Sequence, residues 1–299
     1  MGLTKQQIIT VAVLLSGTFL AVLNITLLSP ALPTIMADMG VDATTVQWLT
    51  SGYSLTEAVI IPLSAFIMGR LSTRKLYIGG MVVFACGSLM AALSPAFGFL
   101  LLGRVLQAVC TGAVMPMVFT VILLVFPREK RGTAMGAIGL IIGFAPAIGP
   151  SVAGLLVDSV GWRWLFGIVT ILTVIVLVLS LVLLRNYGDF KRTSFDPLSV
   201  LLSSAGLVCL LYGLSTFSSS DNLLVTGALI VVGLVLVGLF VRRQLKLPVP
   251  MLKVDILKTR KYATTVIIIV IVQAALMGTG VITPLYIQGV CGYSATMSG

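Results

Sequence analysis

The sequence of 299 residues is 58% hydrophobic and only 9% charged, with a mean hydropathy of +1.14. Soluble domains carry roughly 25% charged residues, so this composition excludes a soluble globular protein. The net charge of +10 does not indicate nucleic-acid binding, because the basic residues are dispersed at the ends of apolar segments and form no single patch.

Nine apolar stretches follow one another along the chain, each about long enough to cross a bilayer as a helix. The predicted spans are 8–29, 47–68, 76–94, 98–126, 133–157, 164–184, 197–217, 223–241 and 262–287. The first stretch is too long for the apolar core of a secretory signal, so we expect it to remain part of the protein. The fold class is therefore predicted to be an all-α, multi-pass membrane protein.

The loops between these spans alternate in charge. All but two of the 19 Lys and Arg residues lie at the N-terminus or on alternate loops. These are Lys5, Arg70, Arg74, Lys75, Arg128, Lys130, Arg131, Arg185, Lys191, Arg192, Arg242, Arg243, Lys246, Lys253, Lys258, Arg260 and Lys261. The opposite loops carry Asp38, Asp42, Asp158, Asp221 and Arg163. The positive-inside rule places the basic loops and the N-terminus in the cytoplasm, with Trp48 and Trp164 at the outer interface.

Two ionisable residues lie within predicted spans, Glu57 in the second and Arg104 in the fourth. Burying either one alone costs about 2.5–3.5 kcal/mol on insertion scales, so each is expected to face protein or a wet cavity. Asn24, Glu57 and Arg104 fall roughly 8–15 Å from the outer ends of their helices and could meet there. Either Glu57 carries a proton that Arg104 tunes, or the two side chains only lock helices together.

Amide side chains extend this group of candidates. Gln107 shares a helix face with Arg104, three residues earlier. Gln273 lies midway along the ninth span, where it lines a cavity or forms a helix-to-helix hydrogen bond. We expect Asn24, Gln107 and Gln273 to line a substrate cavity.

The fifth span is dense in glycine and proline. These residues are Gly139, Gly143, Pro146, Gly149, Pro150 and Gly154. Small residues let helices approach closely, and prolines break the hydrogen-bond ladder and bend the helix. The pattern fits either tight helix packing alone or a bent interface helix on which two halves of a transporter rock.

The sequence gives no indication of enzyme chemistry. It contains no histidine, and the spacing of its four cysteines matches no metal or redox motif. It also lacks the G-x-x-x-x-G-K-[ST] phosphate loop. We therefore predict that it is not an enzyme, needs no cofactor or metal, and would draw energy for pumping from an ion gradient or a partner.

Four segments carry a family resemblance: GRVLQAVCTGAVMP at 103–116, GFAPAIGPSVAG at 143–154, GWRWLF at 161–166 and PLYIQGVCGYSATMSG at 284–299. Through them the chain resembles the major facilitator superfamily, and more narrowly its drug:proton antiporters with fourteen spans, the group of lincomycin and multidrug exporters. The resemblance implies that Arg104 takes part in proton coupling and that the fifth-span motif is associated with export.

The sequence departs from this family in two motifs. Asn24 stands where the first-span motif usually has an acidic residue, which makes Glu57 the candidate proton site. The loop after the second span keeps Arg70, Arg74 and Lys75 but has no aspartate, so the charged cytoplasmic gate of the family is degraded.

The resemblance also implies a domain organisation. Residues 1–190 would form the first six-helix half, 191–245 two extra linker helices, and 246–299 the start of a second half that lacks five spans. The chain is therefore expected to be C-terminally incomplete, as a fragment or a truncated product.

The resemblance implies a proton-coupled exporter of drugs or other amphipathic small molecules in the cell membrane. Its partners would be the substrate, protons and the lipid bilayer, with no nucleic acid. Two alternatives stay open: an exporter of a metabolite or peptide with the same fold, and a non-transporting remnant or subunit.

Overall fold

The computed structural model describes residues 4–187, 196–217, 222–248 and 250–293. These residues form α-helices joined by turns and short connections. The helices are α1 Lys5–Thr26, α2 Leu32–Met39, α3 Ala43–Val46, α4 Trp48–Arg70, α5 Thr73–Ala92, α6 Phe97–Val125, α7 Arg131–Val160, α8 Arg163–Leu183, α9 Pro197–Thr216, α10 Leu223–Lys246 and α11 Arg260–Gly289. Short 3-10 turns occupy Ser29–Ala31, Arg128–Lys130 and Val254–Lys258.

Eight helical segments of the described residues are long and apolar enough to cross a membrane. They correspond to the first eight predicted spans, and the segment predicted as the ninth is the 30-residue helix α11. The prediction of an all-α multi-pass membrane protein is confirmed.

The first candidate span, Lys5–Met39, is longer than predicted. Pro30 and Pro33 lie in the first turns of successive helical pieces, where the missing N–H of proline is tolerated. The helical path therefore continues past 29 with only a 3-10 turn. It ends at Gly40, whose φ of +63° closes α2 in the left-handed conformation.

Helix α6 lies at the centre of the bundle. It packs along α4 and α5, while α8 packs on α5, and α1 packs against α7 and α8. A Cβ atom on Gly87 of α5 would stand 2.6 Å from the carbonyl oxygen of Gly103 of α6, and one on Gly103 would stand 2.6 Å from the oxygen of Gly87. Because both residues are glycine, the two backbones can touch here, which brings the side chains that follow them together.

At the predicted outer end, α2 and α8 are held together by charge. Arg163 donates to Asp38 at 2.7 Å and stacks over the ring of Trp162, while Trp162 Nε1 also donates to Asp38 at 3.1 Å. This ion pair explains why a single arginine is compatible with a loop that otherwise carries acidic residues.

Helices α9 and α10 form a hairpin that packs against the bundle through α9 and α4. At its open end, Arg243 donates to both carboxylate oxygens of Asp196, at 2.8 and 3.0 Å. Gln244 donates to Ser199 at 2.7 Å and accepts from the backbone N–H groups of Met251 and Leu252. Side chains therefore lock the hairpin ends and fix the start of the connection to α11.

The remaining helix, α11, touches α2 and the Ser29–Ala31 turn and is otherwise largely exposed. The predicted boundary at 190/191 lies outside the described residues, as do Lys191, Arg192, Asp221 and the 294–299 portion of the last motif. The division of the chain into domains stays a prediction.

Candidate functional site

Arg104 is buried in the middle of the bundle, with 1% of its surface exposed. Its Nη1 donates to the side-chain oxygen of Gln107 at 2.8 Å and to the backbone oxygen of Asn24 at 3.4 Å, and its Nε donates to the backbone oxygen of Leu49 at 3.4 Å. The guanidinium also lies 4.4 Å from the centre of the Tyr53 ring. Carbonyl dipoles and an aromatic face thus surround the charge on several sides.

No carboxylate neutralises this cation directly within the described part of the chain, where the ion pairs are those of Arg163 and Arg243. Glu57 lies within electrostatic range of Arg104 without forming an ion pair. The interpretation of Glu57 and Arg104 as a salt bridge that only locks helices therefore has no direct contact to support it.

Gln107 connects three helices through its amide. Its oxygen accepts from Asn24 Nδ2 of α1 at 2.9 Å and from Arg104, and its nitrogen donates to Ser88 Oγ of α5 at 2.8 Å. Asn24, Gln107 and Ser88 are all buried. The close contact at Gly87 and Gly103 places Ser88 beside Gln107, so the local backbone geometry creates this network.

Tyr53 brings α4 into the same cluster. Its hydroxyl hydrogen-bonds the Thr111 hydroxyl at 2.7 Å, and the Thr111 hydroxyl also donates to the backbone oxygen of Gln107 at 3.1 Å. Glu57 follows Tyr53 by one helical turn and is only partly buried, next to the close contact of α4 with Gly112. The fully buried cluster therefore borders a partly buried carboxyl group.

The structure brings Asn24, Arg104 and Gln107 together, as their positions on the helices suggested, with Glu57 alongside. Gln273 lies on an exposed part of α11 and does not join the hydrogen-bond network of the described residues. Asn24 and Gln107 bind each other and Arg104, and neither presents a free amide to an open cavity.

Sequence reasoning missed Tyr53, Ser88 and Thr111. Tyr53 precedes Glu57 by four residues, and Thr111 follows Gln107 by four, so helical spacing alone could have found both. Ser88 could not be found in this way, since its role depends on the close approach of α5 to α6.

Helix α7 carries the predicted antiporter motif and continues without interruption through Pro146 and Pro150. The glycines of this motif have two kinds of surroundings, a neighbouring helix or open space. Gly149 is buried against α1, where an added Cβ would stand 2.2 Å from Thr26 Oγ1, and Gly154 is also buried. Gly139 and Gly143 have open space where a side chain would be. Close helix packing therefore accounts for only part of the motif.

The basic residues predicted to form a cytoplasmic gate contact their own helices and the C-terminal end of α8. Arg74 Nη2 donates to the carbonyl oxygen of Leu181 at 2.5 Å and its backbone N–H donates to Asn186, while Arg70 stacks over Phe66 at 4.9 Å. Lys75 lies in the first turn of α5, where its N–H donates to the capping Ser72 hydroxyl. Arg74 thus caps the carbonyl end of α8.

The side chains around Arg104 and Glu57 are arranged to respond to protonation of a carboxyl group, and they do not form a covalent active site. A buried cation held by dipoles, with a carboxyl group nearby, provides two charges whose interaction depends on whether the carboxyl group is protonated. The described residues contain no cluster of three or more Cys, Asp or Glu that could hold a metal ion.

Comparison with known proteins gives the family. The profile of the Major Facilitator Superfamily matches residues 14–299. The chain is 42% identical over 295 residues to "Uncharacterized MFS-type transporter YcnB" of Bacillus subtilis (strain 168), covering 97% of this chain and 62% of that protein. It is 35% identical over 301 residues to "Lincomycin resistance protein LmrB" of the same organism, covering 99% of this chain and 62% of that protein.

Solved structures show the same fold. An inward-facing, unoccupied bacterial homologue of the human lysosomal transporter Spinster matches with a TM-score of 0.56 at 18% identity, covering 81% of this chain and 62% of that one. The chain thus spans somewhat less than two thirds of the relatives named here. These relatives are transporters or resistance proteins, which agrees with the prediction that the chain is not an enzyme. The chain belongs to the Major Facilitator Superfamily.

Proposed function

We propose that this protein is a multi-pass transporter of the cell membrane that exports drugs or other amphipathic small molecules in exchange for protons, with its N-terminus in the cytoplasm. The observation that carries the proposal is the buried Arg104, which binds carbonyl groups and the Tyr53 ring while Glu57 lies nearby without pairing to it. A buried cation without a paired anion is costly to fold, and within a membrane protein such groups mark transport paths.

Glu57 acts as the proton carrier in this proposal. When ionised, its carboxylate is attracted to the guanidinium of Arg104, and this attraction draws α4 towards α6. When it is protonated, the attraction is lost, and α4 is held to α6 by packing, by the Tyr53–Thr111 hydrogen bond and by the contacts of Arg104 with the Leu49 carbonyl and the Tyr53 ring. Proton binding therefore changes the interaction energy of two helices that are packed together.

The class of substrate is inferred from two observations. The printed name of the LmrB relative is that of a lincomycin resistance protein, which makes an antibiotic a reasonable substrate to test. The polar cluster itself is surrounded by a predominantly apolar bundle, which favours amphipathic molecules over strongly charged ones. The energy source is the proton gradient, and no cofactor enters the proposal.

The test uses the native polypeptide that contains these residues, reconstituted in liposomes with an imposed pH gradient. Transport of lincomycin and of a cationic dye is measured for wild type, Glu57→Gln and Arg104→Ala. We expect each substitution to lower gradient-driven flux on the order of tenfold or more, which corresponds to about 1.4 kcal/mol of lost interaction.

The matched controls are Glu129→Gln and Arg128→Ala, which remove the same charges from the exposed Arg128–Lys130 turn. These variants should transport like wild type. Equal flux with and without the pH gradient, or wild-type flux in both site variants, would contradict proton coupling at this site. Transport of peptides or metabolites in preference to drugs would favour the alternative cargo.

A further inference from the structure

A groove of about 340 Å³ separates α4 from α9 near their predicted outer ends, away from the Arg104 cluster. Its lining includes Trp48, Ser51 and Ser54 of α4 and Leu211, Tyr212 and Ser215 of α9. The proposed proton site does not use this groove. It lies where the six-helix bundle meets the α9–α10 hairpin.

Two aromatic rings form one wall of the groove. The rings of Trp48 and Tyr212 have their centres 5.5 Å apart and are tilted by 34°. Tyr212 remains 44% exposed, so the wall is open to the surroundings of the bundle. Tryptophan and tyrosine rings favour the headgroup level of a bilayer, which places this wall at the membrane surface.

Four hydroxyl groups in the groove lack hydrogen-bond partners within the described residues, those of Thr50, Ser51, Ser54 and Ser215. Most hydroxyls in the long helices donate to a carbonyl about one turn earlier. Thr56 donates to Gly52 at 2.8 Å, and Thr216 donates to Tyr212 at 2.8 Å. The groove hydroxyls are therefore available to donate to an acceptor from outside the chain.

The depth of the Ser51 and Ser54 hydroxyls in the bilayer indicates which chemical group accepts their hydrogen bonds. Ser51 and Ser54 follow Trp48 by three and six residues, which places them roughly 4.5 and 9 Å deeper along the helix. The interfacial layer on each side of a bilayer is about 5–8 Å thick, so Ser51 lies within it, at the level of the lipid ester groups, and Ser54 lies at its inner boundary, where the ester groups meet the acyl chains. The lining is uncharged, and Leu55 and Leu211 supply an apolar surface for an acyl chain.

We propose that this groove binds one diacyl glycerolipid of the adjacent leaflet. The Ser51 and Ser54 hydroxyls donate to its ester carbonyl oxygens, its glycerol backbone packs against the wall formed by the Trp48 and Tyr212 rings, and one acyl chain lies along Leu55 and Leu211. The volume accommodates the glycerol region and the first part of a chain, with the remainder in the bilayer. The bound lipid then connects the six-helix bundle to the α9–α10 hairpin.

The experiment compares two defined lipids with the same phosphoglycerol headgroup, one a diester and the other a diether. The 299-residue chain is placed in nanodiscs of each lipid, released, and analysed by native mass spectrometry for retained lipid. We expect wild type to retain the diester about tenfold more than the diether, the factor typical of two hydrogen bonds of ordinary net strength. Ser51→Ala with Ser54→Ala should remove this preference.

The matched control is Ser16→Ala with Ser204→Ala, which also removes two hydroxyls from membrane helices but lies outside the groove lining. It should retain the diester like wild type. Far-UV circular dichroism checks that all variants keep their helices. Equal retention of diester and diether by wild type, or an unchanged preference in the Ser51/Ser54 variant, would overturn the proposal.

A second readout places the lipid at Trp48. In a Trp162→Phe, Trp164→Phe variant, Trp48 is the only remaining tryptophan. A diester lipid brominated in its acyl chains should quench its fluorescence more strongly than the brominated diether, and this difference should disappear without the two serines. If lincomycin binds at Trp48 in a serine-dependent way while both lipids quench equally, the groove is part of a substrate path and the lipid proposal fails.

Discussion

Arg104 is held by acceptors that are fixed in position by other helices. Two of its partners are backbone oxygens, of Asn24 and Leu49, which side-chain substitution does not remove. The third is the oxygen of Gln107, which Asn24 also uses as an acceptor. Gln107 is therefore the residue whose loss affects the largest number of buried polar groups at once.

Replacing Gln107 by alanine is expected to destabilise the bundle by about 2–4 kcal/mol, because the amide of Asn24, the guanidinium of Arg104 and the hydroxyl of Ser88 each lose a partner. Thermal unfolding in detergent measures the effect. Gln273→Ala, which truncates an exposed glutamine of α11, is the control and should leave the midpoint unchanged. A wild-type midpoint for Gln107→Ala would show that the network contributes little to stability.

At the residue scale, sequence reasoning found the charged and amide members of the cluster because such groups are rare inside spans. It could not establish how they pair. The sequence leaves open whether Glu57 pairs with Arg104 or only lies near it, and the structure surrounds the guanidinium with carbonyl oxygens and the Tyr53 ring. Backbone acceptors are present at every position of a chain, so no sequence pattern distinguishes the ones that are used.

At the scale of a single helix, α7 presents two glycines with opposite surroundings. Gly149→Ala would place a Cβ atom against Thr26 of α1, and we expect a loss of about 1–3 kcal/mol from this overpacking. Gly143→Ala adds the same atom in open space and should be neutral or stabilise the helix by up to about 1 kcal/mol. Thermal unfolding of the two variants provides the comparison.

A double variant tests the cause of the Gly149 effect. Thr26→Ala removes the hydroxyl that the new Cβ atom would meet, so Gly149→Ala should cost less in that background than in wild type. Equal costs in both backgrounds would show that α1 and α7 do not meet at this point.

The α9–α10 hairpin is locked by a group whose charge depends on pH. The hydrogen bonds from Arg243, and then from Ser199, hold the pKa of the Asp196 carboxyl well below its usual range. The unfolded chain therefore binds the proton at a higher pH than the folded one. The stabilisation is present above the ordinary pKa near 3.8 and is lost as pH falls towards the lower folded pKa.

Asp196→Asn should accordingly lower the unfolding midpoint at pH 7, and its difference from wild type should shrink as the pH is brought below about 4. Asp255→Asn, at an exposed aspartate of the Val254–Lys258 turn, is the control and should differ little from wild type at either pH. A difference that stays constant from pH 7 down to about pH 2 would exclude the Asp196–Arg243 ion pair as its source.

At the scale of the whole molecule, hydropathy located the first eight spans because backbone groups in hydrocarbon must be satisfied within each helix. Hydropathy placed the end of the first span too early, because the helical path continues after α1 with the two prolines in the first turns of the following helical pieces. It could not show that α9 packs on α4, because lipid-facing and protein-facing surfaces are both apolar and the pairing depends on shape.

The orientation of the whole bundle is the remaining prediction at this scale. In a variant whose four native cysteines are replaced, single cysteines are introduced at the exposed residues Asp42, Asp158 and Glu129. A membrane-impermeant maleimide added to intact cells should label Asp42→Cys and Asp158→Cys, and it should label Glu129→Cys only after permeabilisation. The reason is that Glu129 lies between Arg128 and Lys130, within a basic loop, whereas the loops containing Asp42 and Asp158 have few basic residues.

The reverse labelling pattern would place Trp48 and the groove beside it on the cytoplasmic side. Glu57 would then lie in the cytoplasmic half of its span, and the proposed proton site would be nearer to the cytoplasm than to the outside. Labelling of all three positions in intact cells would contradict the alternation of the loops itself, because consecutive loops of a chain that crosses the bilayer must lie on opposite sides. The pattern of three labels thus tests whether the chain crosses the bilayer an odd number of times from Asp42 to Glu129 and again from Glu129 to Asp158, together with the direction of these crossings.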